Sequence, residues 1–548
     1  MFFLSFFISI KAYARLKLSR AKHPSLRGHS KWSRRVAKWI PFFSYEDEHF
    51  FSSDDAPIDV VKQRRDGFNR LSENLKRYSP KSTALYASLE ESVSDVKFTN
   101  LYRVPYPYRN YIARHIKSAS IVTSSSGVML EDLDGHKGMD LSGSYGVNVF
   151  GYDFYKSCLD KGLESAKRLG PVLGPYHPLI KDNVEELKRL SGLDEVSFHM
   201  SGTEAVMQAV RLARYHTGKR YLVRFCGAYH GWWDGVQPGI GNQRKTSDVY
   251  TLSDMSERTL GVLRTRKDIA CVLVNPLQGL HPNSDASSDA TLIGSGRTAA
   301  FDKIAYSEWL QILQQVCKEQ SIVLIFDEVF TGFRLSHKGA QGFFGVQADL
   351  VTYGKTLGGG LPVGVLCGRH QLMQRFKDDR PVNVSFARGT FNSHPYVLAS
   401  MNAFLQAIQA ESIQHSYQVL EQVWNDRVKM NQALEEAGLP IKLANLTSIL
   451  TVLYTQPSRY NWMYQYYLRN EGLLLSWIGT GRLIMSHNFT DDEFNEVIKR
   501  FVVAGIQMKK DGWWWHHSAL TNKWIKRRMM KDMMKSLLPT SRANEVKS

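Results

Sequence analysis

Between about residue 100 and residue 505 the chain repeats one pattern: a short apolar run ending in polar residues or glycine, then a helix-length segment. RYLVRF (220–225), ACVLVNP (270–276), SIVLIFDEV (321–329) and DLVTYGK (349–355) are such runs. Glu204–Tyr215 and Tyr306–Glu319 are two of the helical segments between them. Continuous apolar runs of this length suit strands buried on both faces. Strands separated by helices build βαβ units on a mostly parallel sheet. The pattern therefore predicts an α/β fold with its functional groups at the carboxyl ends of the strands.

Composition removes several alternatives. The 548 residues are 43% apolar and 22% charged, which excludes global disorder, a collagen and a polytopic membrane protein. No run of 18 apolar residues occurs, so no conventional spanning helix is expected. The five cysteines are scattered and form no C-x-x-C. A disulfide framework and a zinc site are not expected, no metal is assigned, and a reducing, cytoplasmic compartment fits. Cys226, Cys271 and Cys367 lie in strand-like contexts and read as core thiols.

The net charge of +18 is localised. Residues 1–40 carry +10 and residues 509–548 carry +7, leaving +1 for residues 41–508. A general nucleic-acid affinity of the body is thereby excluded. Interleaved tryptophans (Trp32, Trp39, Trp524) leave only the terminal segments for it, without a recognised fold. The opening MFFLSFFISI precedes its basic residues (Lys11, Arg15, Lys17, Arg20, Lys22), the reverse of a secretory signal. It is either a short membrane-dipping anchor with a polybasic collar or a disordered or artefactual extension. Residues 44–57 are acidic and turn-rich, as in a linker, and Ile58, Val61, Phe68, Leu71 and Leu75 then space as a helical arm. In the tail, Leu520, Trp524, Ile525, Met529, Met530, Met533, Met534, Leu537 and Leu538 form a helical stripe beside Lys523, Lys526, Arg527, Lys531 and Lys535. Three preceding tryptophans favour a membrane or partner surface over simple docking.

Four constellations carry chemistry. Ser201-Gly202-Thr203-Glu204 opens a helix and offers backbone N–H groups and hydroxyls to an anion, or simply caps the helix. Tyr229-His230-Gly231-Trp232 follows a strand and offers an aromatic face to a planar ring, or packs at a rim. Asp327 ends the most apolar run, where a carboxylate needs a cationic or N–H partner. A pyridinium nitrogen is one candidate and Arg334 another. Lys355 ends a strand before Gly358-Gly359-Gly360, where an apolar site would lower its pKa, or where it is an ordinary loop lysine. Together they supply a phosphate cradle, a stacking aromatic, a carboxylate and an amine, the set that pyridoxal phosphate (PLP) requires.

Residues about 100–505 resemble the class III, fold type I, PLP-dependent aminotransferases through MSGTEAVMQAVRLAR, GAYHGWWDG, IFDEVFTGFR, ADLVTYGKTLGGGLPVG and GTFNSHP. Within that class the chain is similar to the glutamate-1-semialdehyde aminomutase-like branch. DLSGSYGVNVFGY and GAQGFFGVQADLVTYGK point to the aminotransferase modules of polyketide and lipopeptide assembly lines. The resemblance implies a large domain with a mostly parallel sheet and a smaller α+β domain. It implies that Lys355 holds the cofactor covalently and shuttles a proton, while Asp327 keeps the ring nitrogen protonated. Gly202 and Thr203 would hold the phosphate, Tyr229 and Val329 would cover the ring faces, with His230 beside Tyr229, and Gln278 would contact the ring hydroxyl. Thr390 would reach the phosphate of a neighbouring subunit in a homodimer. Tyr145 would line the substrate pocket, and Arg482 would hold a carboxylate. Two departures stand out. Asn275-Pro276 replaces the family's Glu-Pro, and Gly481 falls where aminomutases place a gating acid.

The expected organisation is a basic extension (1–43), linker and arm (44–99), two small-domain parts (100–180 and 401–508) around a PLP-binding large domain (181–400), and a basic tail (509–548). The expected activity is amine transfer from an amino-acid donor to an aldehyde or ketone acceptor, lipid-like or bound to an acyl carrier protein. An aminomutase and a degenerate scaffold are the alternatives. An anionic membrane surface is a candidate partner, with a peripheral position at the inner membrane face.

Overall fold

The computed structural model describes residues 2–22, 31–102, 104–117, 121–237, 241–244, 247–280, 295, 301–476 and 479–537. Leu538 of the tail stripe and the side chains of residues 1–8 and of Trp32 lie outside the described residues. The chain divides into two compact units. The first comprises Met1–Ala37, Phe154–Ala286 and Ala300–Glu421. The second comprises Lys38–Asp153, Ser287–Ala299 and Gln422–Ser548. Residues 154–180 thus belong with the large sheet, and the arm and tail belong with the second unit.

The apolar runs are strands. Among the described residues the first unit holds β1 (Glu195–His199), β2 (Tyr221–Phe225), β3 (Val249–Leu252), β4 (Ile269–Val274), β5 (Val323–Asp327), β6 (Leu350–Gly354) and β7 (Gly364–Gly368). They form one sheet in the order β1-β7-β6-β5-β4-β2-β3. All neighbours pair in parallel except β7, which is antiparallel to β1 and β6. Strands β4 to β7 are buried along their whole length, which is why their sequences lack alternation. Helix α1 (Phe2–Ala21) docks here, with Leu18 and Ala21 buried and the Ala21 carbonyl accepting from Ser253 N at 3.0 Å. Helix α2 (Gly202–Thr217) buries Val206, Ala209, Val210 and Ala213 in a core with Leu222, Leu273, Ile325 and Leu366. Each such large apolar side chain contributes roughly 1.5–3 kcal/mol. All five cysteines are buried and free, as core thiols should be.

The second unit contains two smaller sheets among its described residues. Residues 122–126, 129–132, 137–140 and 473–474 form one, and 441–446, 449–454 and 483–484 the other. Helix Asp491–Lys510 starts at Thr490 in a reciprocal cap with Glu493. The segment 44–57 is not an open linker. Phe50, Phe51, Ser53 and Asp54 are completely buried. Arg64 makes a two-pronged pair with Asp54 at 2.7 and 2.8 Å and also donates to the carbonyls of Phe51 and Gly512. That pair fixes the rotation of helix Ile58–Tyr78, so Val60, Arg64, Phe68, Leu71 and Leu75 face inward while Ile58 is 88% exposed.

The tail is likewise built into this unit. Helix α3 (Asn522–Lys535) is bolted down by Asp532, which accepts from Tyr45 at 2.6 Å and Arg459 at 3.3 Å. Trp513 and Trp514 are buried, donating to Tyr467 (2.8 Å) and Asn461 (2.9 Å). These two tryptophans therefore serve the core and not a membrane boundary. Their indole N–H groups find partners inside, which removes the reason to seek a wet interface.

Asp54→Ala should destabilise this unit by about 3–5 kcal/mol, because it strands the Arg64 charge. Denaturant unfolding checks this, and Asp54→Ala with Arg64→Met should recover part of the loss.

Candidate active site

The carboxyl ends of the central strands gather most of the residues singled out above. Ser201 caps α2, its Oγ accepting from Glu204 N at 3.3 Å, while Glu204 Oε2 accepts from Met200 N at 2.9 Å. The first-turn N–H groups of Gly202 and Thr203 have no intrahelical acceptor and carry the positive end of the helix dipole. A Cβ on Gly202 would come within 2.6 Å of Val329 Cγ1, so that glycine lets the cradle approach Val329. Gly231 has φ +86°, and a Cβ there would collide with Thr203 Oγ1. The Tyr229–Trp232 turn therefore lies directly on the cradle.

Asp327 ends β5 and is buried. Its Oδ2 pairs with His230 Nδ1 at 2.8 Å, and its Oδ1 accepts from Val329 N (3.2 Å) and Thr352 Oγ1 (3.3 Å). Burial holds the His230 imidazole below the usual histidine value, with the Asp327 carboxylate pulling the other way. A neutral ring donates from Nδ1, and its buried Nε2 meets no acceptor or donor among the described residues. The Tyr229 ring is 60% exposed, so its face is open to a ligand. Asn275 Nδ2 holds the Tyr229 carbonyl at 3.1 Å, and Gln278 donates to the Cys226 carbonyl at 2.5 Å.

Lys355 follows β6 directly, with φ +49°, a left-handed conformation that costs a side-chain-bearing residue about 1–2 kcal/mol. Burial pushes its amine below the ordinary lysine value, and the Asp327 charge partly restores it. Neighbouring Thr356 bonds the Tyr155 hydroxyl at 2.5 Å. A strained lysine on rigid secondary structure, biased toward the neutral amine, is suited to nucleophilic and proton-transfer chemistry.

Three residues were not anticipated. Arg224, inside β2, is buried and donates to the carbonyls of Ala228 and Val236, bracketing the Tyr229 turn. Burial lowers its pKa to about 10. The arginine inside RYLVRF was its visible signal. Thr352 lines up with Asp327 in the strand register, which the sequence alone does not provide. Glu328 turns away from Asp327 and accepts from Ala340 N and Gln341 N at 3.0 Å for the latter; burial pushes it up to about 7.

Three candidates remain. Thr390 is exposed and makes no hydrogen bond among the described residues. Tyr145 and Arg482 belong to the second unit. Ser144 and Tyr145 have φ of 45° and 57°, and Tyr145 is half exposed. Their turn abuts the strand after Arg482: a Cβ on Gly143 would lie 2.6 Å from the Ile484 carbonyl. Arg482 Nε is buried without a hydrogen-bond partner among the described residues, and burial lowers the guanidinium to about 10.

The cluster fits PLP. The α2 start offers donors for a phosphate, Asp327 a buried carboxylate for a protonated ring nitrogen, Tyr229 an open face, and Lys355 an amine. Comparisons agree. The pattern of the family described as "Aminotransferase class-III" matches residues 111–504. Glutamate-1-semialdehyde 2,1-aminomutase of Methanocaldococcus jannaschii is 32% identical over 324 residues, 56% of this chain and 68% of that one. The protein of the same name from Hydrogenobaculum sp. is 29% identical over 353 residues, 61% and 77% of the two chains. A solved transaminase with PLP bound superposes with a TM-score of 0.64 at 26% identity, covering 79% of this chain and 99% of its own. A glutamate-1-semialdehyde aminomutase from Pseudomonas aeruginosa PAO1 shares the fold, with a TM-score of 0.65 at 18% identity over 82% and 99% of the chains. With that family pattern spanning most of its length and that fold around its cluster, this chain belongs to the class III aminotransferases, enzymes of PLP fold type I.

Proposed function

We propose that the chain moves an amine from an amino-acid donor to an aldehyde or ketone acceptor, and that the acceptor is lipid-like or a carrier-bound acyl chain. Arg482 carries the first part. Its buried Nε meets no hydrogen-bond partner among the described residues, and a donor carboxylate would supply charge-assisted hydrogen bonds to the guanidinium. Resemblance to assembly-line aminotransferases and the basic, apolar terminal segments support the second part.

Bound PLP supplies the electron sink that makes the hydrogen on the amine-bearing carbon acidic. The chain's residues do the rest. Gly202 and Thr203 bind the phosphate through N–H and hydroxyl groups. Tyr229 and Val329 cover the two ring faces and exclude water. Asp327, oriented by His230 and Thr352, presents its carboxylate to the ring nitrogen and holds a proton there. Gln278 stands at the ring edge. Lys355 Nζ accepts the proton from the substrate carbon and returns it. Tyr145 lines the substrate side. Thr390 reaches the phosphate of the neighbouring subunit in a homodimer. The exposed apolar side chains near it in sequence, Phe376, Val382, Val384, Phe386 and Phe391, favour such an interface.

An aminomutase is the second reading, favoured by the names of the relatives. Gly481 weighs against it, because the gating acid that retains the intermediate is missing at that place. Donor-independent turnover would decide for the aminomutase. Turnover of small soluble keto acids only, against a panel of fatty aldehydes and acyl thioesters, would remove the lipid-like acceptor.

Lys355→Ala should lose the yellow chromophore and about 10³-fold or more in turnover, read by absorbance and half-reaction kinetics. Arg482→Leu should raise the donor KM about thirtyfold or more while the acceptor KM stays put, since the charged hydrogen bonds to the donor carboxylate are lost. In cofactor-free protein, Asp327→Asn removes the charge that raises Lys355, so its amine should deprotonate at lower pH. The pH profile of Lys355 acylation should shift to lower pH accordingly.

A further inference from the structure

Helix α3 is held by one face only. Ile525 and Asp532 are buried, and Arg528 turns inward to Asp55 at 2.8 Å and Asp532 at 3.3 Å. Asp532 is the only acidic residue in the helix, and it is consumed by these contacts. Lys523, Lys526, Arg527, Met530, Lys531, Met534 and Lys535 are left facing out, followed by Leu537. That face holds five cations, no carboxylate and three apolar side chains, Met530, Met534 and Leu537, exposed by 62%, 58% and 47%. Positions 523, 527, 530, 534 and 537 recur at three- and four-residue spacing, so the apolar row runs between the cations.

An ordinary solvated helix face does not carry an apolar row along its centre, and a core-facing one does not carry five unpaired cations. Helix α1 repeats the composition: Ile10, Tyr13 and Leu16 are exposed among Lys11, Arg15 and Arg20, and the helix has no acidic residue. Among the described residues no helix is long and apolar enough to cross a membrane.

We propose that the outward face of α3 docks on an anionic lipid bilayer. The helix lies in the surface plane. Met530, Met534 and Leu537 enter the headgroup–acyl boundary, and Lys523, Lys526, Arg527, Lys531 and Lys535 meet the lipid phosphates. A bilayer is favoured over an acidic protein because it offers a continuous anionic plane over an apolar layer, matching both components of the face. The docking gives a place to the lipid-like acceptor proposed above and rests on that reading only for its purpose.

The test uses full-length holoenzyme floated with vesicles of phosphatidylcholine alone or mixed with phosphatidylglycerol. The protein should float with the mixed vesicles and not with the neutral ones. Replacing Lys523, Lys526, Arg527 and Lys531 by glutamine should lower partitioning about tenfold or more. Met530→Gln with Met534→Gln, which leaves the charge untouched, should lower it about tenfold. All six positions are exposed, and the half-reaction with a soluble amino donor should be unchanged in both variants. Absence of flotation with anionic vesicles overturns the proposal. So does wild-type flotation of either variant. Binding to double-stranded DNA that matches vesicle binding and ignores the methionine change also overturns it, in favour of adsorption by charge alone. A failed half-reaction with intact flotation would instead reject the proposed enzyme chemistry.

Discussion

Asp327 is a carboxylate at the end of a completely buried strand, and the cluster is arranged around making that burial tolerable. An isolated charge there would be costly. His230 Nδ1, Thr352 Oγ1 and the Val329 N–H each take part of that cost. Each partner comes from a different element. Thr352 needs β6 in register beside β5, Val329 needs the turn after β5, and His230 needs the Tyr229 turn held over the strand ends. Arg224 holds that turn from below by its carbonyls, Asn275 holds the Tyr229 carbonyl, and Gly231 seats the turn on Thr203. The carboxylate, the aromatic face and the start of α2 are thus one connected construction.

Electrostatics within that construction divide the labour. The same Asp327 charge acts on two basic groups that burial pushes toward neutrality. His230 stays neutral enough to serve as a fixed donor. Lys355 is also pushed below its ordinary value, but Asp327 pulls it partly back. A lysine amine lowered in this way gives up its proton more readily than an exposed one and still accepts it back. Its positive φ adds to the case, since the strained backbone fixes where the amine emerges from the strand.

The strands and the four constellations were legible because each is local. Apolar runs without alternation announce buried strands, and a Ser-Gly-Thr before an amphipathic helix announces a cap whichever ligand it serves. The relation between His230 and Asp327, 97 residues apart, was not legible, nor was Thr352 as a partner, because register is a property of the sheet. Arg224 shows a different blind spot. A cation inside a strand is surprising in sequence, but only geometry reveals that its acceptors are backbone carbonyls. The second unit misleads for a related reason. Residues 44–57 look like a linker because they are acidic and short of apolar residues, yet Asp54 is there to bind Arg64 at the centre of a packed unit. Its charge is a core feature that composition assigns to the surface.

The charge distribution acquires a more definite meaning from the same contacts. Of the tail's cations, Arg528 is spent inside the fold on Asp55 and Asp532, and Asp532 itself is withdrawn from the surface by Tyr45 and Arg459. Docking therefore sorts the helix, sending its one acid inward and leaving its outer face uniformly basic. An amphipathic pattern in sequence does not say which side of the helix is spent on folding. Here the stripe itself is divided: Ile525 goes inward, Met530 and Met534 outward. Folding thus converts a generally basic segment into a directed surface. The near-neutral body and this basic surface thus lie in separate parts of the chain.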